Sequence, residues 1–186
     1  MEDAKIIDLY WERNEKAIAE TEKKYDRYCY SIAQNIVADR EDSRECVNDT
    51  YLGAWNAIPP TRPNVLRTFL GRITRNLALK KVRLKTADKR GGSQYDLVLE
   101  ELGDIIADAS TPEVEMEAKE LGMTINGFLQ GLQTEERRVF VCRYWYFDSV
   151  SEIAARFGYG ESKVKMMLKR TRDKMKEYLK KEGIEI

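Results

Sequence analysis

The chain has 186 residues, 42% of them hydrophobic and 34% charged, with 32 basic and 32 acidic side chains that cancel to a formal charge of zero. It contains no histidine and three scattered cysteines, Cys29, Cys46 and Cys142, without CxxC spacing. That removes the commonest general base, the commonest metal ligand and a zinc framework, so neither a cofactor nor a metal is expected. The cysteines sit among apolar residues and read as buried thiols of a reducing cytosol.

The zero net charge conceals a strong pattern. From Arg62 to Arg90 there are ten Lys/Arg against Asp88 alone. From Tyr95 to Glu120, nine acids face Lys119 alone, and from Lys163 to Lys181 nine basic residues face Asp173 and Glu177. Two cationic stretches separated by an acidic one point to a polyanionic partner that a whole-chain average hides. Asp3, Lys5 and Asp8 interrupt any apolar opening run, so no signal peptide is expected there. No run of about 18 uncharged apolar residues occurs either, so no membrane insertion and a cytoplasmic location are expected.

Apolar spacing predicts helix almost throughout. Tyr25, Cys29, Ile32, Ala33 and Ile36 recur on one face of a first helix. Asp42-Ser43-Arg44-Glu45 has the shape of an N-cap for a second, whose stripe Val47, Tyr51, Ala54, Ile58 ends at Pro59-Pro60. A third carries Leu66, Phe69, Leu70, Ile73 and Leu77 inward. The period fails around Lys89 to Ser93, and the acidic stretch that follows reads as a linker. Its acids are expected to compete for the basic faces, with Glu100, Glu101, Asp104 and Asp108 the residues to test.

Helical spacing returns from about Glu113, and Thr134-Glu135-Glu136 opens a new helix. The segment from Val139 to Phe147 has strand propensity but no strand to pair with, so it is read as buried helix. Ser149 and Glu152 form an S-x-x-E capping box, and Gly158 permits the left-handed backbone that stops a helix. Ala154 is small where a second helix must cross, as in a helix-turn-helix. The helix after Gly160 turns Val164, Leu168, Thr171, Met175 and Leu179 inward. Lys163, Lys165, Met166, Lys169 and Arg170 then lie on the outward side near its N-terminus, where a recognition helix meets base edges and phosphates.

Three segments carry a family resemblance. "DSRECVNDTYLGAWNAI" resembles the core-polymerase-binding helix of bacterial sigma factors of the extracytoplasmic-function (ECF) group. "LRTFLGRITRNLALKKVRLK" resembles the adjoining promoter-melting helix, written around W-L-x-R-I-A-x-N-x-x-x-D-x-x-R. "LQTEERRVFVCRYWYFDSVSEIAARFGYGESKVKMMLKRTRDKM" is similar to the C-terminal DNA-reading domain. Phe69 stands for the usual tryptophan, Arg44 for an acid, Asn48 for glutamine, Lys80 for aspartate, and Lys163 and Met166 for threonine and serine.

The resemblance implies an all-α chain of two small helical domains. These are a region 2 helical bundle (residues 1–90) and a region 4 helix-turn-helix (119–186), joined by an acidic linker (91–118). It implies a non-enzymatic subunit that binds core RNA polymerase and directs promoter-specific initiation. Glu45, Asn48, Asp49, Leu52 and Trp55 would grip the β′ clamp coiled coil. Arg72, Arg75, Asn76 and Arg83, with the loop from Thr61 to Val65, would melt and hold the −10 element. The recognition helix would read the −35 element, with the Val139–Phe147 segment on the β-flap, and an anti-sigma factor would be a further partner. The alternative is a free-standing helix-turn-helix regulator acting on DNA without polymerase.

Overall fold

A computed structural model describes residues 1–85, 94–102 and 114–184. The described residues are helical, without strands, and the chain divides into two compact units, Met1–Tyr95 and Asp96–Ile186.

In the first unit α2 (Lys16–Val37), α3 (Arg40–Ala57) and α4 (Leu66–Lys85) pack against one another, and α1 (Asp3–Trp11) lies on α2. Helix α1 is an addition to the sequence reading: Ile6, Ile7 and Tyr10 are buried and join Cys29, Val47, Ala54, Ile58, Leu66 and Leu70 in one core. The stripes expected on the next three helices are all turned inward, with Ile73 and Leu77 half-buried. Buried hydroxyls are satisfied within this core. Thr50 donates to the Cys46 carbonyl (2.7 Å) and lies 3.0 Å from Thr74 Oγ1, so α3 and α4 are joined by a polar stitch as well as by apolar contact. Gly71 permits the close approach of α2 to α4, since a Cβ there would fall 2.4 Å from Tyr28 Oη.

The start of α3 differs from the sequence reading. Helix α2 stops at Ala38 in the left-handed region (φ 55°), so the chain has already turned at Asp39. The carboxylate of Asp39 accepts the Asp42 N–H at 2.9 Å and is the N-cap. Asp42 instead meets Lys81 of α4 at 3.1 Å.

The second unit contains α5 (Gln94–Leu102), whose first two residues fall before the division, then α6 (Val114–Gly131), α7 (Thr134–Tyr144), α8 (Val150–Phe157) and α9 (Glu161–Lys181). Its core includes an aromatic cluster: Phe128 meets Phe140 and Tyr178 at centroid distances of 6.4 and 5.6 Å, and Phe140 meets Tyr144 at 4.4 Å. The buried helix expected from Val139 ends three residues before Phe147, which takes a positive φ of 57°. There the Asp148 N–H donates back to the Cys142 carbonyl (3.0 Å).

The capping box is present at α8. The Glu152 N–H donates to Ser149 Oγ (3.2 Å), and the Ser149 N–H donates to Glu152 Oε2 (2.7 Å). Gly158 closes α8 at φ 68°, and Val164, Leu168, Thr171, Met175 and Leu179 are all buried. Together these fix where α8 starts and stops, and hence how α9 leaves the turn. Ser149→Ala is expected to cost the second unit about 0.5–2 kcal/mol by thermal or denaturant unfolding, while Ser149→Asp, which keeps a capping acceptor, should retain most of that stability.

Candidate nucleic-acid and partner interfaces

Helix α9 places Lys163, Lys165, Met166, Lys169 and Arg170 on its exposed side, Met166 at 51% exposure. Lys163 is not simply solvated. Its ammonium sits 3.6 Å from the centroid of Tyr159 in the preceding turn, and the Tyr159 ring is stacked with Phe157 at 6.0 Å. The turn thus orients the first basic side chain of the helix.

On α4, Arg72 and Asn76 are exposed one turn apart, and Lys80 continues the same flank. The Arg72 guanidinium lies 5.8 Å from the Phe69 ring centroid. Arg75 is half-buried beside this flank, and Arg83 lies in the last turns of α4, its side chain outside the described residues. The flank is cationic with a neutral amide within it, which suits phosphates and one unpaired base edge.

Helix α3 turns Glu45, Asn48, Asp49 and Leu52 outward, with Leu52 at 57% exposure. Glu45 accepts from Lys81 of α4, which also meets Asp42. Trp55 is different: it is half-buried and packs on the edge of the core, 6.2 Å from the Tyr10 ring. Arg13 lies 5.3 Å from its ring centroid and donates to its carbonyl at 2.7 Å. Arg44, where an acid is usual, pairs with Asp26 of α2 at 2.5 Å and covers Tyr30 at 4.7 Å.

Burial and pairing narrow two sequence expectations. Val139, Phe140, Cys142, Tyr144 and Phe147 are consumed by the core of their own unit, so that segment cannot offer them to a flap. Trp145, 40% exposed, is the large apolar side chain it leaves outside. Nor is Glu101 a free linker acid. Its carboxylate accepts from Arg143 Nη2 (2.7 Å) and Nε (3.2 Å) and from Tyr144 Oη (2.8 Å), and Arg172 of α9 lies at 3.3 Å. Arg143 is itself 2% exposed and donates to the Asp148 carbonyl. A buried guanidinium needs such pairing. Glu100 is exposed, whereas Asp104 and Asp108 lie outside the described residues. Sequence reasoning missed this network because Glu101 and Arg143 are 42 residues apart.

Among the described residues, no group of three or more potential metal-ligating side chains is found. All three cysteines are buried free thiols, and burial pushes Cys29 up to about 11, with Cys46 and Cys142 also raised by burial. No described helix is long and apolar enough to cross a membrane.

The family model of sigma-70 region 2 matches residues 23–87, and that of sigma-70 region 4 matches residues 128–177, more than half of the chain between them. The chain is also 25% identical over 156 residues to the ECF RNA polymerase sigma factor SigE of Mycolicibacterium smegmatis. This chain belongs to the sigma-70 family. The match to SigE covers 84% of this chain and 59% of SigE, so this sigma factor spans about three-fifths of that relative's length. The solved structure of CnrH in complex with the cytosolic domain of CnrY is similar at a TM-score of 0.44 and 20% identity, over 96% of this chain and 97% of that one.

The Glu101 network has a pH signature. Burial pushes its carboxyl up, but hydrogen bonds from Arg143 and Tyr144 and the charges of Arg143 and Arg172 more than offset this, holding it below its ordinary 4.5. A depressed carboxyl contributes stability that is present above its unfolded pKa and lost as pH falls through the folded one. Glu101→Gln is therefore expected to destabilise the second unit at neutral pH by about 1–3 kcal/mol. The variant and wild-type unfolding curves should converge as pH is lowered below 4.5.

Proposed function

We propose that this chain acts in the cytosol as a dissociable, non-catalytic subunit of RNA polymerase, conferring promoter choice through two separate DNA-contacting units. In this reading, region 2 lies within residues 1–90, region 4 within 119–186, and the acidic stretch 91–118 connects them. The exposed face of α3 (Glu45, Asn48, Asp49, Leu52) docks on the clamp coiled coil of the β′ subunit. Trp55 supports that face from the core edge. Leu52 ringed by acids and amides has the apolar-centre, polar-rim character of a protein interface.

Arg72, Arg75, Asn76 and Arg83, with the loop preceding α4, take the non-template strand of the −10 element. Unstacking a base costs a few kcal/mol, so a site that captures the extruded base converts binding energy into strand opening. Lys163, Lys165, Met166, Lys169 and Arg170 read the −35 element. Here lysines serve guanine edges and phosphates, and Met166 offers an apolar contact. Docking on the β-flap would fall to the region 4 surface around Trp145. An anti-sigma factor is the partner that would cover these faces when the chain is off polymerase.

The observation that carries the reading is the pairing of two family regions, each presenting an outward cationic face, within one chain. Run-off transcription with purified core polymerase on a genomic fragment library tests it: discrete start sites should appear only when this chain is added. On a promoter so found, Lys165→Ala should change the preferred −35 sequence, and Arg75→Ala should reduce permanganate reactivity of the opened strand. If the two variants exchange these effects, the division of labour is wrong. If the chain instead binds palindromic DNA tightly without polymerase, it is a free-standing regulator.

A further inference from the structure

The one aromatic residue of α4, Phe69, is turned into the core and is 9% exposed, so the cationic flank itself carries no aromatic face. A site that holds unpaired bases ordinarily combines cations with an aromatic face on which a base can stack. Such a face exists in region 2, on an element more than fifty residues earlier in the chain. Helix α1 ends at Trp11, whose indole is 42% exposed although its neighbour Tyr10 is fully buried. The core is therefore already filled at this point, and Trp11 is left outside it.

What places Trp11 at the −10 loop is Arg62. From the exposed stretch before α4, its guanidinium pairs with Asp8 of α1 at 2.5 Å and lies 5.8 Å from the Trp11 ring centroid. Arg13, just beyond α1, donates to the Trp55 carbonyl at the end of α3, so the α1 terminus is held from a second direction. Val65, at 55% exposure, closes the same loop. Indole, guanidinium and loop thus adjoin at one edge of the unit.

We infer that Trp11 is a stacking platform for one unpaired base of single-stranded DNA, with Arg62 beside it to meet the adjoining phosphate. This rests on the proposed function, which supplies the strand. It extends the capture site from α4 and its loop to α1. Asp8 pairs with Arg62 from α1 and so favours a guanidinium position beside the ring. The base is taken by its π-face, so this contact adds affinity for opened DNA with little sequence preference. Base choice is left to the loop and to Asn76.

The test uses the full chain bound to core polymerase and a non-template-strand oligonucleotide spanning the −10 element of a promoter selected by that holoenzyme. Trp11→Ala should weaken oligonucleotide binding by about 5- to 100-fold, while Trp11→Phe, which keeps a ring, should stay within a few-fold of wild type. With 2-aminopurine walked along the oligonucleotide, one position should be quenched in the wild-type complex and bright in Trp11→Ala. Equal oligonucleotide affinity of wild type and Trp11→Ala, or an unchanged quenching profile, overturns the platform alone. So does a Trp11→Ala defect traced to weaker association with core, which would make Trp11 a protein contact. Failure of the wild-type holoenzyme to hold the oligonucleotide overturns the proposed function and the platform with it.

Discussion

A helix that spends one face on a core has only the other to offer a partner, and that constraint organises both units. On α9 the stripe Val164, Leu168, Thr171, Met175, Leu179 is wholly buried, which forces Lys165, Met166 and Lys169 outward. On α3 the burial of Val47, Tyr51 and Ala54 leaves Asn48, Asp49 and Leu52 in solvent. On α4 the inward Leu66, Leu70, Thr74 and Ala78 leave Arg72, Asn76 and Lys80. Burying one large aliphatic side chain is worth about 1.5–3 kcal/mol, so rotating any of these helices to present another face would forfeit several such contributions at once. The faces are fixed by the cores behind them.

Polar groups inside the two units reinforce that registration. The Thr50–Thr74 contact ties α3 to α4 at one height, and Lys81 adds a second link through Asp42 and Glu45. The candidate polymerase-docking helix and the candidate DNA-opening helix are therefore joined by polar as well as apolar contacts. In the second unit Glu101 does the equivalent for three elements, joining α5 to α7 through Arg143 and Tyr144 and to α9 through Arg172. Glu101, from the acidic stretch, is thus built into the second unit.

What was legible in the sequence was local. The stripes of α2, α3, α4 and α9 follow from helical period alone, and the Ser149–Glu152 box and Gly158 are short-range signals whose chemistry is complete within a few residues. The N-cap of α3 was misplaced because Asp39 and Asp42 are both good caps. What decided between them was Ala38, whose left-handed turn ends α2 just beforehand, and alanine carries no signal for that conformation. In sequence Glu101 looks like a solvated linker acid because its partners lie 42 to 71 residues away. Trp11 carries no local signal either, since Arg62 reaches it only in three dimensions. The Val139–Phe147 segment shows the opposite failure. Its apolar character was plain, but sequence cannot say whether such a segment faces its own core or a partner.

The central claim is that the outward face of α3 binds polymerase because its inward face is already committed. It is tested most directly by titrating fluorescently labelled chain with purified core polymerase, wild type beside Leu52→Arg, a substitution at an exposed position that should leave the fold intact. The account predicts saturable one-to-one association for the wild type and its loss in the variant, with both proteins unfolding alike. Association that is undetectable for the wild type, or equally tight for both, would contradict it.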